Sequence, residues 1–204
     1  MIFNSYLYLL IFLPLVVLGF HALRLAPFRV SIGFLVLMSL VYYGWWRPED
    51  LWVIGVSCVA NFFVGRSIAR NRNTGRGKSL LVTGLLFNLG LLAWFKYAGL
   101  FSKTLIALTG DGLSLPDIIL PLGISFFTFQ QIAYLVDSWR GEAEEYHITD
   151  YLLFVTFFPQ LIAGPIVHHK EMLPQFQRHQ RRGLRAINLS IGITIISIGL
   201  FKKV

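Results

Sequence analysis

The sequence has a single cysteine, Cys58, so an intrachain disulfide is excluded. Charged residues are also scarce: they make up 14% of the 204 residues, and only ten residues are acidic. The chain lacks a glycine-rich phosphate loop, a nucleophile elbow and zinc-ligand spacing. These absences argue against an ordinary soluble domain, and they leave no motif that names a reaction directly.

Apolar residues are abundant instead, at 55% of the chain, and they gather in runs close to the length that crosses a bilayer. In hydrocarbon a backbone must satisfy its own polar groups, which favours helices. The sequence therefore predicts an all-α, polytopic transmembrane helical bundle that forms one domain over residues 1–204. Pro14 predicts a kink in the first apolar segment. The segments cover residues 2–20, 30–46, 51–68, 79–94, 118–139, 148–167 and 184–200.

Positive charge is concentrated in two loops, residues 66–78 and 170–185, and the net charge of the chain is +8. In a membrane protein such loops mark the cytoplasmic side, so topology explains the charge better than nucleic-acid binding does. Counting back from the first loop through the preceding segments places the N-terminus outside. An acidic loop, residues 141–150, separates the fifth segment from the sixth.

The two basic loops cannot both be cytoplasmic if every later segment crosses once, so one segment is predicted not to cross fully. Residues 100–108 are apolar but too short to span, which indicates an interfacial or re-entrant helix, with an assisted crossing as the alternative. Residues 148–167 are the favoured exception, because Pro159 and the Gly164-Pro165 pair should each break the helix. Broken helices are tolerated at membrane depth where they are buried in protein or line a cavity.

A stripe of polar, small and aromatic residues runs along the fifth segment. At about 100° per residue, spacings of three and four place these positions on one face. The stripe consists of Gly123, Phe126, Gln130, Tyr134 and Asp137. Polar groups at membrane depth are costly, so the stripe is interpreted as the wall of a substrate passage. Hydrogen bonding between helices is the alternative, and for Asp137 an interfacial ion pair with Arg140 is another.

Gln160 lies between the two expected breaks of the sixth segment. A broken helix with a polar side chain is a common way to build a membrane site. A packed elbow against a neighbouring helix is the alternative. His168 and His169 follow soon after, but adjacent residues point in different directions on a helix or a strand, so we predict no metal site.

Three motifs occur in order within residues 120–167. They read PLGISFFTFQ at 121–130, YLVD at 134–137 and FFPQLIAGPI at 157–166. Flanking pieces agree with them, namely FKY at 95–97, LPQF at 173–176 and GLFKKV at 199–204. With these motifs the chain resembles the membrane-bound O-acyltransferase family over nearly its whole length, and the alginate O-acetyltransferase branch of that family in particular.

The resemblance implies transfer of an acyl group from a cytoplasmic thioester donor, such as acetyl-CoA or an acyl carrier, to a hydroxyl group. In the alginate branch the acyl group is acetyl, the acceptor is a polysaccharide, and periplasmic partner proteins complete the reaction. The resemblance also places the chain in a bacterial inner membrane.

Family members are about twice as long as this chain, which therefore resembles their N-terminal, scaffold half. The family's general base is an intramembrane histidine in a later helix, so it is expected beyond Val204 and the chain alone is expected to be inactive. On this interpretation no residue of the chain is catalytic. Candidates for lining the tunnel are Gln130, Tyr134, Asp137 and Gln160. A permease and a structural membrane subunit are the alternative functions.

Overall fold

The computed structural model describes residues 5–109, 119–142, 147–163, 172, 174–176 and 186–203. Over these residues the chain is helical and contains no strand, as predicted. We number the α-helices α1 to α8 in chain order. They are α1 (Leu13–Ala22), α2 (Phe28–Gly44), α3 (Asp50–Arg70), α4 (Gly75–Thr109), α5 (Ile124–Arg140), α6 (Ile148–Thr156), α7 (Phe158–Ala163) and α8 (Ala186–Lys203).

Within the described residues, three helical stretches are long and apolar enough to cross a membrane: Tyr8–Leu25, Asp50–Arg70 and Gly75–Phe101. Two shorter apolar helices, α2 and α8, accompany them. Many large apolar side chains on these helices point outward, including Leu10 at 70% exposure and Trp52 and Leu86 at 65% each. Such an apolar exterior suits lipid and not water, so the chain is a multi-pass integral membrane protein.

A π-helical turn, Tyr8–Phe12, directly precedes α1, and Pro14 is the second residue of α1. Proline has no backbone N–H, so the carbonyl four residues earlier loses its usual helical donor. The irregular turn therefore falls in the region where the sequence predicts a kink.

The two ends of the bundle are identified by contacts between distant residues. At one end Arg72 Nε donates a hydrogen bond of 3.2 Å to the Ser138 carbonyl, which joins the loop after α3 to the C-terminal end of α5. We call this the basic end. At the opposite end the Tyr43 hydroxyl donates to the Leu122 carbonyl at 2.9 Å, joining the end of α2 to the start of α5. Thus α3 and α5 run in the same direction, and α2 runs against them.

Helix α5 is the centre of the bundle because two glycines let it approach its neighbours closely. A Cβ at Gly65 of α3 would lie 2.8 Å from Tyr134 Cζ, and a Cβ at Gly84 of α4 would lie 2.7 Å from Leu135 Cδ1. Small residues at helix contacts allow close backbone approach in membranes. The fifth segment is helical only from Ile124, later than the predicted start at residue 118, because Pro121 and the left-handed Gly123 (φ 69°) precede it.

The sixth segment is a broken helix, as predicted. Helix α6 ends at Thr156, Phe157 has a non-helical ψ of 110°, and α7 begins at Phe158 with Pro159 in its first turn. Proline fits a first turn because its missing N–H is not needed there. The Phe158 N–H donates instead to Ser39 Oγ of α2 at 3.3 Å. The second predicted break, Gly164-Pro165, lies outside the described residues.

Helices α6 and α7 run antiparallel to α5, from the basic end towards the opposite end. Their contacts with α5 show this direction: the Tyr151 ring on Tyr134, the Phe154 carbonyl at Gln130, and the Leu161 carbonyl at Gly123. Phe176, further along the chain, nevertheless has its ring centroid 5.3 Å from that of Phe157 and 6.1 Å from that of Phe20. Phe176 therefore lies at about the depth of Phe157, and the re-entrant course of the segment stays a prediction.

Residues 100–108 do not form a separate interfacial or re-entrant helix, and that expectation is wrong. They continue α4, which is 35 residues long and unbroken to Thr109. No proline interrupts this stretch, and the Thr104 hydroxyl is satisfied by the Leu100 carbonyl at 2.9 Å. At 1.5 Å per residue α4 extends about 52 Å, beyond the ~30 Å hydrocarbon core of a bilayer. Residues 100–108 therefore cannot supply an additional crossing, which removes the alternative solution to the topology.

Candidate functional site: a polar seam between α5, α6 and α7

We call the polar and small residues where α5 packs against α6 and α7 the polar seam. Its members are Gly123, Gln130, Tyr134, Asp137 and Gln160. The seam begins at Gly123, the residue that precedes α5. Its φ of 69° is left-handed, and a Cβ there would lie 3.0 Å from the Leu161 carbonyl oxygen. Glycine adopts this conformation without steric cost, whereas an L side chain would be strained and crowded. Gly123 therefore lets α7 pack directly against the entry of α5.

Gln130 lies one turn and a half into α5 and is 3% exposed. Its Nε2 donates a long hydrogen bond of 3.4 Å to the Phe154 carbonyl of α6. Its Oε1 is buried and finds no hydrogen-bond partner among the described residues. A buried amide whose oxygen accepts no hydrogen bond lowers the stability of the fold. Packing alone therefore does not explain why a glutamine occupies this position.

Tyr134 lies one turn further along and is 5% exposed. Its ring centroid is 4.5 Å from that of Tyr151 on α6, and the ring also packs closely against Gly65 of α3. The Tyr151 hydroxyl is buried without a partner in the part of the chain that the structure describes. The two tyrosines thus fill the space between α3, α5 and α6, and the Tyr151 hydroxyl group is left buried without a described partner.

Asp137 lies at the basic end, where α5 terminates. Its carbonyl accepts hydrogen bonds from the N–H groups of Gly141 and Glu142, the latter at 2.8 Å. The bond from Glu142 is the longer bond of a Schellman motif and the bond from Gly141 is that of an αL cap, and both depend on the left-handed Gly141 (φ 82°). The side chain of Asp137 is 5% exposed, so a carboxyl group sits inside the bundle beside the basic loop.

Gln160 is carried by α7 and is 8% exposed. Its Nε2 has no hydrogen-bond partner among the described residues, and the same is true of Thr128 Oγ1 on α5. Together with Gln130 Oε1 and the Tyr151 hydroxyl, these atoms give α5, α6 and α7 a set of buried donors and acceptors that the helices do not use. His168 and His169 lie outside the described residues.

The single-face interpretation of α5 is only partly right. Phe126, a member of the predicted stripe, is 40% exposed, and Gln131, which the stripe leaves out, is fully buried. Because α5 is surrounded by α3, α4, α6 and α7, it buries two polar faces. One face carries Gln130 and Tyr134 towards α6, and the other carries Gln131 towards α3 and α4.

Gln131 belongs to a hydrogen-bond network that the sequence analysis missed. Its Oε1 accepts from Ser57 Oγ at 2.7 Å and from Asn61 Nδ2 at 2.9 Å, both on α3. Asn61 and Asn88 of α4 exchange two bonds, of 3.1 Å and 2.6 Å. Gln131 Nε2 also lies 3.4 Å from the Cys58 sulfur. The signal was available, since Asn61 and Asn88 are isolated polar residues in apolar segments, but only the packing shows that they meet.

The network and the seam are adjacent because Gln130 and Gln131 are consecutive. The bonds of Gln131 to α3 prevent α5 from rotating about its axis, and this holds Gln130 towards α6. The network is therefore a structural support, which was the alternative offered for the stripe. The seam differs from it, because Gln130 Oε1 and Gln160 Nε2 are buried and have no hydrogen-bond partner among the described residues, as expected for a candidate site.

Comparison with known proteins shows what the chain is similar to. The sequence model of MBOAT, the membrane-bound O-acyltransferase family, matches residues 138–204. The whole chain aligns with a peptidoglycan O-acetyltransferase of Helicobacter pylori at 38% identity, and covers 44% of that protein. It also aligns in full with proteins named probable alginate O-acetylase AlgI, at 35% identity in Pseudomonas aeruginosa and 34% in Azotobacter vinelandii, and covers 39% and 41% of them.

No solved structure matches the chain significantly. The chain spans less than half the length of the curated relatives named above. Each of these alignments covers all of the present chain. Over residues 138–204 the chain matches the membrane-bound O-acyltransferase family, and over its whole length it is similar to proteins named as O-acetyltransferases and O-acetylases.

Proposed function

We propose that the chain is part of a membrane O-acetyltransferase that esterifies a hydroxyl group of a polysaccharide. The observation that carries this proposal is the alignment of all 204 residues with relatives that are named as O-acetyltransferases or O-acetylases, at 31–38% identity. The permease and structural-subunit alternatives are not favoured, since no comparison points to either.

The reaction would use an acyl thioester, such as acetyl-CoA or an acyl carrier, on the cytoplasmic side. The acceptor hydroxyl oxygen attacks the thioester carbonyl, an ester C–O bond forms, the C–S bond breaks, and the hydroxyl proton passes by way of a general base to the departing sulfur. We do not assign this base to any residue of the present chain. We assign the present chain the wall of the passage and none of the proton transfer.

Within that wall we assign roles to Gln130, Tyr134, Asp137 and Gln160. Gln130 Oε1 and Gln160 Nε2 are a buried acceptor and donor with no described partner, so they can orient a polar group of a substrate. Tyr134 supplies an aromatic surface, and Asp137 lies at the basic end of the bundle. Polar groups that are already fixed in a water-excluded interior can orient a ligand without rearrangement of the protein.

A pair of neighbouring substitutions tests this assignment. Gln130→Met keeps the volume of the side chain and removes an unsatisfied buried acceptor, so we expect stability to change by less than about 1 kcal/mol. If Gln130 lines the passage, acetyl transfer should fall about tenfold or more, because an orienting hydrogen bond is lost. Initial rates in membranes of the protein as its gene encodes it would measure this effect.

Gln131→Met is the matched control, because it makes the same chemical change one residue away. It removes the bonds to Ser57 and Asn61, so we expect loss of stability before any specific loss of activity. Full activity in Gln130→Met membranes that contain normal amounts of protein would remove Gln130 from the site and leave Gln160 to be tested in the same way.

The proposed activity and its acceptor can be tested together. Inner membranes that contain the gene product would be supplied with acetyl-CoA labelled in the acetyl group, and with either peptidoglycan glycan strands or unacetylated alginate. We expect alkali-labile labelled acetate on one of the two polymers, and the polymer that is labelled identifies the acceptor. Periplasmic partner proteins would be added in parallel, since alginate acetylation is expected to require them. Transport of label into vesicles without ester formation would instead support a permease.

A further inference from the structure

A groove with a volume of about 700 Å³ runs between α1 and α8, away from the polar seam. It is lined on one side by Leu13, Val17 and His21, and on the other by Gly192, Ile193 and Ile196. Side chains along α8 are exposed on all sides of the helix, with Ile187 at 62%, Ile195 at 63% and Phe201 at 85%. The groove therefore lies between two apolar helices and is open to the outside of the bundle.

Few polar atoms reach this groove. The Ser197 hydroxyl donates to the Ile193 carbonyl at 2.9 Å, so it is satisfied within its own helix. His21 Nδ1 lies 2.9 Å from the Val17 carbonyl, which assigns the ring proton to Nδ1 and turns the Nε2 edge away from α1. Asn188 is the other polar residue of the lining, so an occupant must be apolar over most of its length and can be polar near His21 and Asn188.

The sequence that follows His21 is positively charged. The chain contains no acidic residue before Glu49, whereas Arg24 follows His21 by three residues and is exposed. Arg29 is also nearby, but Asp150 interacts with it electrostatically, so Arg24 is the more available cation. Both arginines lie at the basic end, which positive-inside topology places on the cytoplasmic side.

We propose that the groove between α1 and α8 binds one acyl chain of an anionic phospholipid, whose phosphate lies against His21 and Arg24. Basic pockets between transmembrane helices on the cytoplasmic side suit anionic headgroups. An acyl chain gains no large hydrophobic free energy on moving from bilayer to groove, so the basic residues supply the selectivity. The occupant is a lipid of the surrounding bilayer, and the proposal does not depend on the acetyl-transfer activity.

The test uses vesicles of equal parts phosphatidylglycerol and phosphatidylcholine. The protein as its gene encodes it would be reconstituted, extracted in mild detergent, and analysed for retained lipid by native mass spectrometry. We expect phosphatidylglycerol to be retained about fivefold over phosphatidylcholine, the ratio that one basic residue near an anionic surface supplies. Arg24→Gln should bring the ratio close to one without changing the fold, since Arg24 is exposed.

Gly192→Leu should abolish retention, because a Cβ at Gly192 meets no atom within 4 Å and the added side chain can fill the groove. Gly33→Leu on α2 is the control, since Gly33 is equally open and does not line the groove. Equal retention of the two lipids by the unaltered chain would overturn the proposal. Unchanged retention by Gly192→Leu, or cross-linking of two copies of the chain through the groove, would also overturn it.

Discussion

Replacing Gly65 by leucine should separate α3 from α5 and lower the free energy of unfolding by about 2–3 kcal/mol. A Cβ at Gly65 would already lie 2.8 Å from Tyr134 Cζ and 3.0 Å from its hydroxyl oxygen. Tyr134 also packs against Tyr151, with a ring-centroid distance of 4.5 Å, which limits the space into which its ring can move. Overpacking of a tight interior typically costs about 1–3 kcal/mol, and this contact should fall near the upper limit.

Gly55→Leu is the matched control on the same helix. A Cβ at Gly55 meets no atom within 4 Å, so the leucine is free to extend outward. Leucine is a better helix former than glycine by about 0.8 kcal/mol, so this variant should be as stable as the parent or more so. Equilibrium unfolding in mixed detergent micelles, followed by tryptophan fluorescence, would compare the two. Equal stability of both variants would mean that α3 and α5 do not pack through Gly65.

Replacing Asn61 by leucine should cost about 2–3 kcal/mol through the loss of hydrogen bonds inside the bundle. The change leaves Asn88 Oδ1 without its 3.1 Å donor and removes the acceptor of the 2.6 Å bond from Asn88 Nδ2. Hydrogen bonds between membrane helices are individually worth about 0.6 kcal/mol on average, but a buried group left unsatisfied costs about 1–3 kcal/mol. Asn61 also donates to Gln131 Oε1 at 2.9 Å, so the position of α5 should be affected.

A double-mutant cycle with Asn88→Leu separates the pair from its surroundings. The second substitution removes the groups that the first leaves unsatisfied, so the double variant should be more stable than the sum of the single effects predicts, by about 1 kcal/mol or more. Strict additivity in the same unfolding assay would show that Asn61 and Asn88 are not coupled. Because the side chains lie on α3 and α4, the coupling would also report directly on the contact between those helices.

The pattern of residues along the chain was sufficient for the class of the protein and for most of its elements. Apolar runs predicted the helices, because a backbone in hydrocarbon has few other ways to satisfy its polar groups. Pro159 predicted the break in the sixth segment, since proline restricts its own helix wherever it occurs. The boundaries were less accurate: residues 100–108 continue α4, and α5 begins only after Gly123.

The candidate site was predictable in part. Gln130, Tyr134, Asp137 and Gln160 were selected as polar or aromatic residues in apolar segments, and the structure buries all of them. Spacing along α5 could not distinguish Gln130, with its unused acceptor, from Gln131, which is bound to α3. That distinction depends on which helices surround α5, and no periodicity within one helix contains this information.

By itself, the sequence determined an all-helical membrane protein with a broken sixth segment, its basic loops and the motifs on which its resemblance to membrane O-acyltransferases rests. These properties are local. They follow from the transfer of apolar segments into the bilayer, from the charge of the loops, and from the missing N–H and fixed φ of proline. The tertiary structure alone decided that α5 is the central helix, that Gly65 and Gly84 bring it close to α3 and α4, and that Asn61, Asn88 and Gln131 meet. Such contacts join residues up to 70 positions apart, and their energies depend on distance in space and not on order along the chain.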